Sequence, residues 1–168
     1  MNLAWDDPRT RAFVTNVGLI TSRGHRGHNI MAAEWTHHIS YSPSLIAVSI
    51  RPEHATHENV MQSREFDMSL CAADQSVVSS VAGSGIATDK IAVLKALGVE
   101  FYEAKKINVL MVKGAVMNAE CVVRDVIDAG DHTLFIGEVV EIAASRSSIT
   151  VANTGASESR SPSRLPTS

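Results

Sequence analysis

The stretch VLMVKGAVMNAECVVRDVIDAGDHTLFIGEVVEI, residues 109–142, sets the architecture expected of this chain. Within it, segments 109–115, 121–127 and 133–142 are short, apolar and rich in β-branched side chains, which suit a pleated surface with one buried face. Only Asp128-Ala129-Gly130-Asp131 and the following His132 separate the last two, a break of the kind that joins antiparallel neighbours. Three strands in succession with no helix between them predict an antiparallel sheet.

The rest of the sequence agrees. Residues 13–21 (FVTNVGLIT) read as a strand closed by the turn-prone Ser22-Arg23-Gly24-His25-Arg26-Gly27. A less regular segment follows at 29–36, then a break around Ser42-Pro43-Ser44. Residues 45–50 (LIAVSI) form a buried-strand candidate ended by Arg51-Pro52, and 65–71 form another. Between these two lies a short helix, 55–63. Residues 76–82 are helical or looped, broken by Gly83-Ser84-Gly85. The clearest helix is 91–97: Thr88 or Asp89 can cap it, Ile91, Leu94 and Leu97 recur at helical spacing, and Gly98 ends it. The expected fold is mainly β, of α+β or barrel type, with short helical insertions. Regular strand–helix alternation, the mark of a doubly wound parallel sheet, is absent.

Length and composition narrow the function. At 168 residues the chain amounts to about one domain on the usual prior of ~150 residues each. We place that domain at 1–150 and a flexible tail at 151–168. Residues 156–168 hold five Ser and two Pro with one aliphatic side chain, Leu165, too little apolar area to offset the entropy of ordering. A net charge of −3 disfavours a nucleic-acid binder, which needs a basic face. No apolar run approaches the ~20 residues that span a bilayer. The N-terminus lacks the apolar core of a signal peptide. Cys71 and Cys121 form no CxxC pair and read as reduced thiols. A cytoplasmic protein without membrane or nucleic-acid partners is expected.

Chemistry-bearing motifs are sparse. Gly83-Ser84-Gly85-Ile86-Ala87-Thr88 falls short of a dinucleotide fingerprint, because no strand runs directly into it. The seven histidines lack a cysteine or carboxylate cluster to complete a metal site, so no metal is expected and surface histidines account for them. Two places remain. At Asn29 to Thr36, small residues flank Trp35 and would let a backbone approach a flat ligand beside an aromatic wall. At Gly130-Asp131-His132-Thr133, a turn launches the last strand with a titratable side chain. A β-bulge and an ordinary hairpin turn explain the same residues equally well.

These segments resemble the flavin reductase-like family, whose fold is an FMN-binding split barrel. The resemblance runs from Phe13 to Ile142. It is carried by Asn29-Ile-Met-Ala-Ala-Glu-Trp35, Ile39-Ser40-Tyr-Ser-Pro43-Ser-Leu45-Ile-Ala-Val-Ser49-Ile50, Thr56, Ser84-Gly85-Ile86-Ala87-Thr88-Asp89-Lys90, Glu120-Cys121, and Gly130-Asp131-His132-Thr133-Leu134-Phe135-Ile136-Gly137-Glu138-Val139. Three residues depart from the family pattern. Ala32 stands where many members have Thr, His54 where many have Arg, and Ser44 replaces the second Pro of a common pair.

The resemblance implies a homodimeric split β-barrel that binds FMN, or FAD, and takes hydride from NADH or NADPH. The flavin performs the redox step. Backbone along Asn29, Ile30, Met31, Ala32 and Ala33 would meet the isoalloxazine, with Ser49 and Ile50 nearby and Trp35 packed beside the ring or ribityl chain. Arg51, Thr56 and Lys90 would serve the phosphate, and Ser84 would also lie at the cofactor. His132 would lie at the flavin face and place the nicotinamide. A redox protein partner is possible on this reading, and the alternative function is a non-catalytic FMN electron carrier resembling flavoredoxin. A barrel binding some other cofactor is a third reading.

Overall fold

The computed structural model describes residues 17–25, 27–72, 74–84 and 89–144. Strands β1 (Gly18–Gly24) and β2 (Gly27–Ala33) form one hairpin; β3 (Thr36–Tyr41) and β4 (Ser44–Ile50) form another. Helix α1 (Ala55–Ser63) leads into β5 (Glu65–Leu70), and helices α2 (Ser76–Gly83) and α3 (Lys90–Ala96) follow. The short strands β6 (Phe101–Glu103) and β7 (Leu110–Val112) pair with each other, and the long hairpin of β8 (Met117–Ala129) and β9 (His132–Ala144) completes the fold.

Seven strands make one antiparallel sheet in the order β2-β1-β5-β8-β9-β4-β3. Its two edges, β2 and β3, are consecutive in the chain, joined only by Glu34 and Trp35. Seven flat strands would hold their edges about 29 Å apart at the ordinary ~4.8 Å spacing. The link from Ala33 to Thr36 reaches at most about 11 Å. The sheet therefore has to curl. One apolar cluster fills its concave side and draws Ile20, Ala33, Val48, Phe66, Cys121 and Phe135 from six different strands. The Thr36 hydroxyl donates to the Ala33 carbonyl at 3.1 Å and fastens the link.

Helices α2 and α3 and the β6–β7 hairpin cover the outside of β1 and β2, where Leu19, Ile30, Val78, Ala82, Leu94 and Val112 form a second apolar cluster. The segment between β6 and β7 is held from beneath by carboxylates. Glu120, 1% exposed, accepts backbone N–H bonds from Lys105, Lys106 and Ile107 at 2.9, 2.7 and 3.3 Å. Glu65 accepts a fourth from Asn108 at 2.9 Å.

Several expectations shift. The turn expected over 22–27 is shorter, because the β1–β2 ladder runs on through Ser22↔Asn29, Arg23↔His28 and Gly24↔Gly27. The less regular segment 29–36 is β2, the link and the start of β3, an edge whose polar residues left no clean alternation. The strand expected at 109–115 is only Leu110–Val112, and β6 went unforeseen, since three residues carry no periodicity. Strands β8 and β9 run 13 residues each, well beyond the apolar runs, because each ladder position satisfies backbone groups whatever its side chain. Helices 55–63 and 91–97 stand almost as expected, and residues 76–82 are helical. Asp89 is the α3 cap, accepting from the Ala92 N–H at 3.1 Å. Residues 13–16, 85–88 and the tail 151–168 lie outside the described residues.

The concave core is filled across a glycine. A Cβ built on Gly137 would stand 2.6 Å from Phe66 Cζ and 2.9 Å from the Cys121 Cβ. Neither neighbour has room to retreat in a packed interior. Gly137→Ala is expected to lower stability by about 1–3 kcal/mol, the ordinary cost of overpacking. Urea unfolding should show the midpoint fall with the slope unchanged.

Candidate functional site

The site begins at the β8–β9 turn. Ala129 pairs with His132 across a two-residue loop, and Gly130 supplies the positive φ, 72°, that a type II′ loop needs at its first position. His132 thereby becomes the first residue of β9. Its Nδ1 lies 2.7 Å from Asp131 Oδ1. The hydrogen bond from His132 is the main cause holding the Asp131 carboxyl below its ordinary range, with the Arg51 charge adding to it. Nδ1 is therefore the donor, and Nε2 is left free to meet another group.

Neighbouring elements brace this pair. Register between β4 and β9 sets Ile50 opposite Thr133, so Arg51 emerges beside the turn. Its guanidinium stands 3.3 Å from Asp131 Oδ2 and 3.6 Å from Glu53. From the other side the Trp35 ring packs at a tilt against the His132 imidazole, centroids 4.5 Å apart and planes at 44°. The Ser49 N–H donates to the Trp35 carbonyl at 3.0 Å and anchors the link. Arg51, Asp131, His132 and Trp35 thus form one continuous row, with Trp35 48% exposed.

A second group adjoins it. His57 Nε2 lies 2.9 Å from the Thr133 hydroxyl, and its ring meets Phe135 edge-on at 5.3 Å. Burial lowers the His57 pKa, with Glu53 pulling the other way. One residue earlier on α1, the Thr56 hydroxyl accepts from Asn29 Nδ2 at 2.8 Å. Thr56 is fully buried, so it supports Asn29 from behind. Asn59 Nδ2 reaches the Ser22 hydroxyl at 3.2 Å and the Gly27 carbonyl at 3.4 Å, pinning α1 to the β1–β2 hairpin.

Between these groups runs the edge strand. Strand β2 pairs with β1 alone, so its outward N–H and C=O groups have no strand partner. Met31 and Ala33 turn toward the concave core, Ile30 and Ala32 toward the helices. Ile30, Ala33 and Ile50 are at most 3% exposed, backbone included, so the part of this edge open to a ligand is Asn29, Met31 and Ala32. Above Ala32 sits the end of α2, where a Cβ on Gly83 would be 3.6 Å from the Ala32 Cβ.

Beside it the Ser84 hydroxyl donates to the Val81 carbonyl at 2.7 Å, and Lys90 Nζ to the Ala82 carbonyl at 2.7 Å. Partial burial lowers the Lys90 pKa. The structure therefore gathers Trp35, Ser49, Arg51 and His132 into one group and Asn29 with Thr56 into its neighbour. Ser84 and Lys90 stand on the opposite face of β2, hydrogen-bonded to neither group.

Asp131 and Thr133 belong to the Gly-Asp-His-Thr stretch that the sequence singles out, though without roles of their own. His57 reads in the sequence as a surface histidine, and only the fold brings it to Thr133. Among the described residues no three His, Cys, Asp or Glu side chains converge to hold a metal ion, and no helix is long and apolar enough to cross a membrane. The geometry offers an unpaired backbone edge, a half-exposed indole and an imidazole nitrogen, which together suit a flat heteroaromatic ligand.

Similar proteins share this framework. An uncharacterized protein of Pyrococcus abyssi (strain GE5 / Orsay) is 35% identical over 112 residues, 67% of this chain. The match spans 63% of that relative, less than two thirds of its length. The FMN reductase (NADH) SmoA of Agrobacterium fabrum (strain C58 / ATCC 33970) is 27% identical over 79% of this chain and 71% of its own. Among solved structures, the flavoredoxin of Desulfovibrio vulgaris (Miyazaki F) superposes with a TM-score of 0.72 at 27% identity, covering 88% of this chain and 78% of that one. The family model for the flavin reductase like domain matches residues 10–154, nearly the whole sequence, and the chain belongs to the flavin reductase-like family.

Proposed function

We propose that this chain binds FMN along the open edge of β2 and catalyses its reduction by NADH or NADPH, electrons then passing to an acceptor. The observation that carries this reading is the His132 imidazole, fixed by Asp131 and packed against Trp35 beside the link where that edge ends. When bound, the flavin supplies the capacity to accept hydride and release electrons onward. The partly exposed backbone at Asn29, Met31 and Ala32 offers N–H and C=O groups that suit its ring carbonyls, ring nitrogens and single N–H, with Ile30 and Ala33 buried between and behind them. Asn29, held by Thr56, keeps that strand in place, while Ser49 and Ile50 back the Trp35 link. FAD carries the same ring system and would use the same edge.

The phosphate would be met on one of the two sides of β2, by Arg51 on the His132 side or by Ser84 and Lys90 on the helix side. Each now spends its donors inside the protein, on Asp131 and Glu53, the Val81 carbonyl and the Ala82 carbonyl respectively. Turning to a phosphate would exchange a neutral acceptor, or an exposed ion pair, for a charge-assisted bond. His132 would then orient the nicotinamide through Nε2, with Asp131 fixing the ring. A homodimer is part of the same reading. A second copy would cover apolar side chains left exposed on β3, β8 and β9, Ile39, Ile127 and Val140 among them.

The similarity to flavoredoxin supports a second reading, an FMN electron carrier. The two readings part on turnover. Purified protein is expected to show a flavin visible spectrum, as isolated or after added FMN, and to oxidise NAD(P)H. A preparation that takes up neither FMN nor FAD would overturn both readings; tightly held flavin without NAD(P)H oxidation would select the carrier.

His132→Ala is expected to leave FMN affinity nearly unchanged. It should slow anaerobic flavin reduction by roughly a hundredfold, the scale on which small misplacements act. Equal stopped-flow rates in variant and wild type would remove His132 from the reaction.

A further inference from the structure

Away from the β2 edge, the outer faces of β1, β5 and β8 carry a buried polar row. Register sets Thr21 opposite Asp67 and Asp67 opposite Glu120. Thr21, Asp67, Ser69 and Glu120 are each no more than 1% exposed. The two acids are treated differently. Glu120 is met by three backbone N–H groups, whereas Asp67 Oδ1 has no hydrogen-bond partner, and neither has the Thr21 hydroxyl.

Counting protons assigns the charge state. Asn118 Nδ2 lies 3.2 Å from the Val112 carbonyl and 3.0 Å from the Tyr102 hydroxyl. A carbonyl only accepts, so the NH₂ end must face it, which turns Asn118 Oδ1 toward Ser69 Oγ, 2.5 Å away. The Ser69 hydroxyl has one proton, and Asn118 Oδ1 must receive it. Yet Asp67 Oδ2 is also 2.6 Å from Ser69 Oγ. Two oxygens at that distance need a proton between them. It can come only from Asp67.

We infer that Asp67 is kept as the neutral acid, and that its proton is the first link of a hydrogen-bond relay, Asp67 to Ser69 to Asn118, that pins the β6–β7 hairpin to the sheet. Asn118 completes the relay by donating to Tyr102 on β6 and Val112 on β7. Ionising Asp67 would pull the Ser69 proton back toward Oδ2 and leave Asn118 Oδ1 facing lone pairs. The pin would open at the hairpin, not in the concave core.

The surroundings agree. Burial, above all, pushes the Asp67 pKa up to about 8; Glu120 adds to this, while the Ser69 hydroxyl and the Ala119 backbone N–H oppose it. Around Asp67 from other elements stand Glu120 on β8, Tyr102 on β6 and Lys105 just beyond it, while Cys121, next to Glu120, lies on the concave face of the sheet. Burial raises the Tyr102 and Cys121 pKa values as well, and Asp67 contributes to both. The Lys105 ammonium is taken by Glu141 at 3.0 Å.

An acid whose folded pKa is raised stabilises the fold fully only below its unfolded pKa. That contribution is lost as pH rises from the ordinary value of 3.8 to about 8, and little more is lost above it.

The test compares wild type with Asp67→Asn, whose amide donates to Ser69 at every pH. Between pH 5 and 8 the wild-type Tm is expected to fall by roughly 5–10 °C relative to the variant. Above pH 8, amide protection factors over Phe101–Val112, corrected for the intrinsic rise of exchange with pH, should fall in wild type alone. Parallel Tm curves would overturn the inference. Should the variant fail to fold, the carboxyl carbon of Asp67 in ¹³C-labelled wild type gives the answer directly. A protonated signal at pH 7 that titrates near pH 8 supports the relay, and an ionised signal at pH 6 overturns it.

Discussion

The two-residue link between β2 and β3 is the constraint from which the rest follows. Strands at opposite ends of a seven-stranded order cannot be joined by Glu34 and Trp35 unless the sheet bends back on itself. Bending creates the concave side that Phe66 and Phe135 fill, and it makes a glycine at 137 a packing requirement. It also leaves β2 with one backbone side unpaired beside the link. An unpaired edge is usually a hazard that proteins blunt with charge, bulges or cover. Here it lies between helices on one face and α1 on the other, sheltered, with Asn29, Met31 and Ala32 left partly open. The same constraint that closes the core leaves unpaired the backbone along which we propose a flavin binds.

Side chains around that edge are positioned by ladders rather than by loops of their own. Thr133 is placed by its pairing with Ile50 and Asp128, and His132 and Arg51 inherit their positions from it. Helix α1 acts as a strut, through Asn59 to the first hairpin, Thr56 to Asn29 and His57 to Thr133. A site built this way is as rigid as the sheet, which suits a reaction that depends on holding two flat rings in register. The cations nearby are the adjustable parts, resting on internal acceptors they can leave.

Much of this was legible in the sequence, and the reasons for success and failure are physical. The β8–β9 hairpin announced itself because Gly130-Asp131 is a turn signal flanked by apolar runs. Helices 55–63 and 91–97 were visible from spacing and terminators. The β2–link–β3 corner was not resolved into two strands, because edge strands carry polar residues on their open side and lose the alternation that marks a half-buried strand. Site residues that belong to a short local motif, Asn29 to Trp35 and Gly130 to Thr133, could be singled out. Contacts that depend on register could not. No local pattern says that His57 meets Thr133, that Arg51 lies against Asp131, or that Lys90 is bound to the Ala82 carbonyl on the far side of β2.

The buried acids make the same point about long-range placement. Asp67 and Glu120 are adjacent across β5 and β8, equally removed from water, and nothing in their local sequence distinguishes them. The segment between β6 and β7 does. By aiming three backbone N–H groups at Glu120, it satisfies one carboxylate and leaves the other with the Ser69 hydroxyl as its one side-chain partner. Two buried carboxyls side by side cannot both ionise cheaply, so the loop decides which one carries the charge. That loop is in turn held by the carboxylate it stabilises, and its flanking strands, through Phe101, Leu110 and Val112, pack into the cluster that seats α2 and α3. The helices bearing Ser84 and Lys90 thus rest on a layer whose attachment to the sheet is electrostatic on one side and apolar on the other. Changes in that polar row would be felt first in this outer layer, and only through it at the β2 edge.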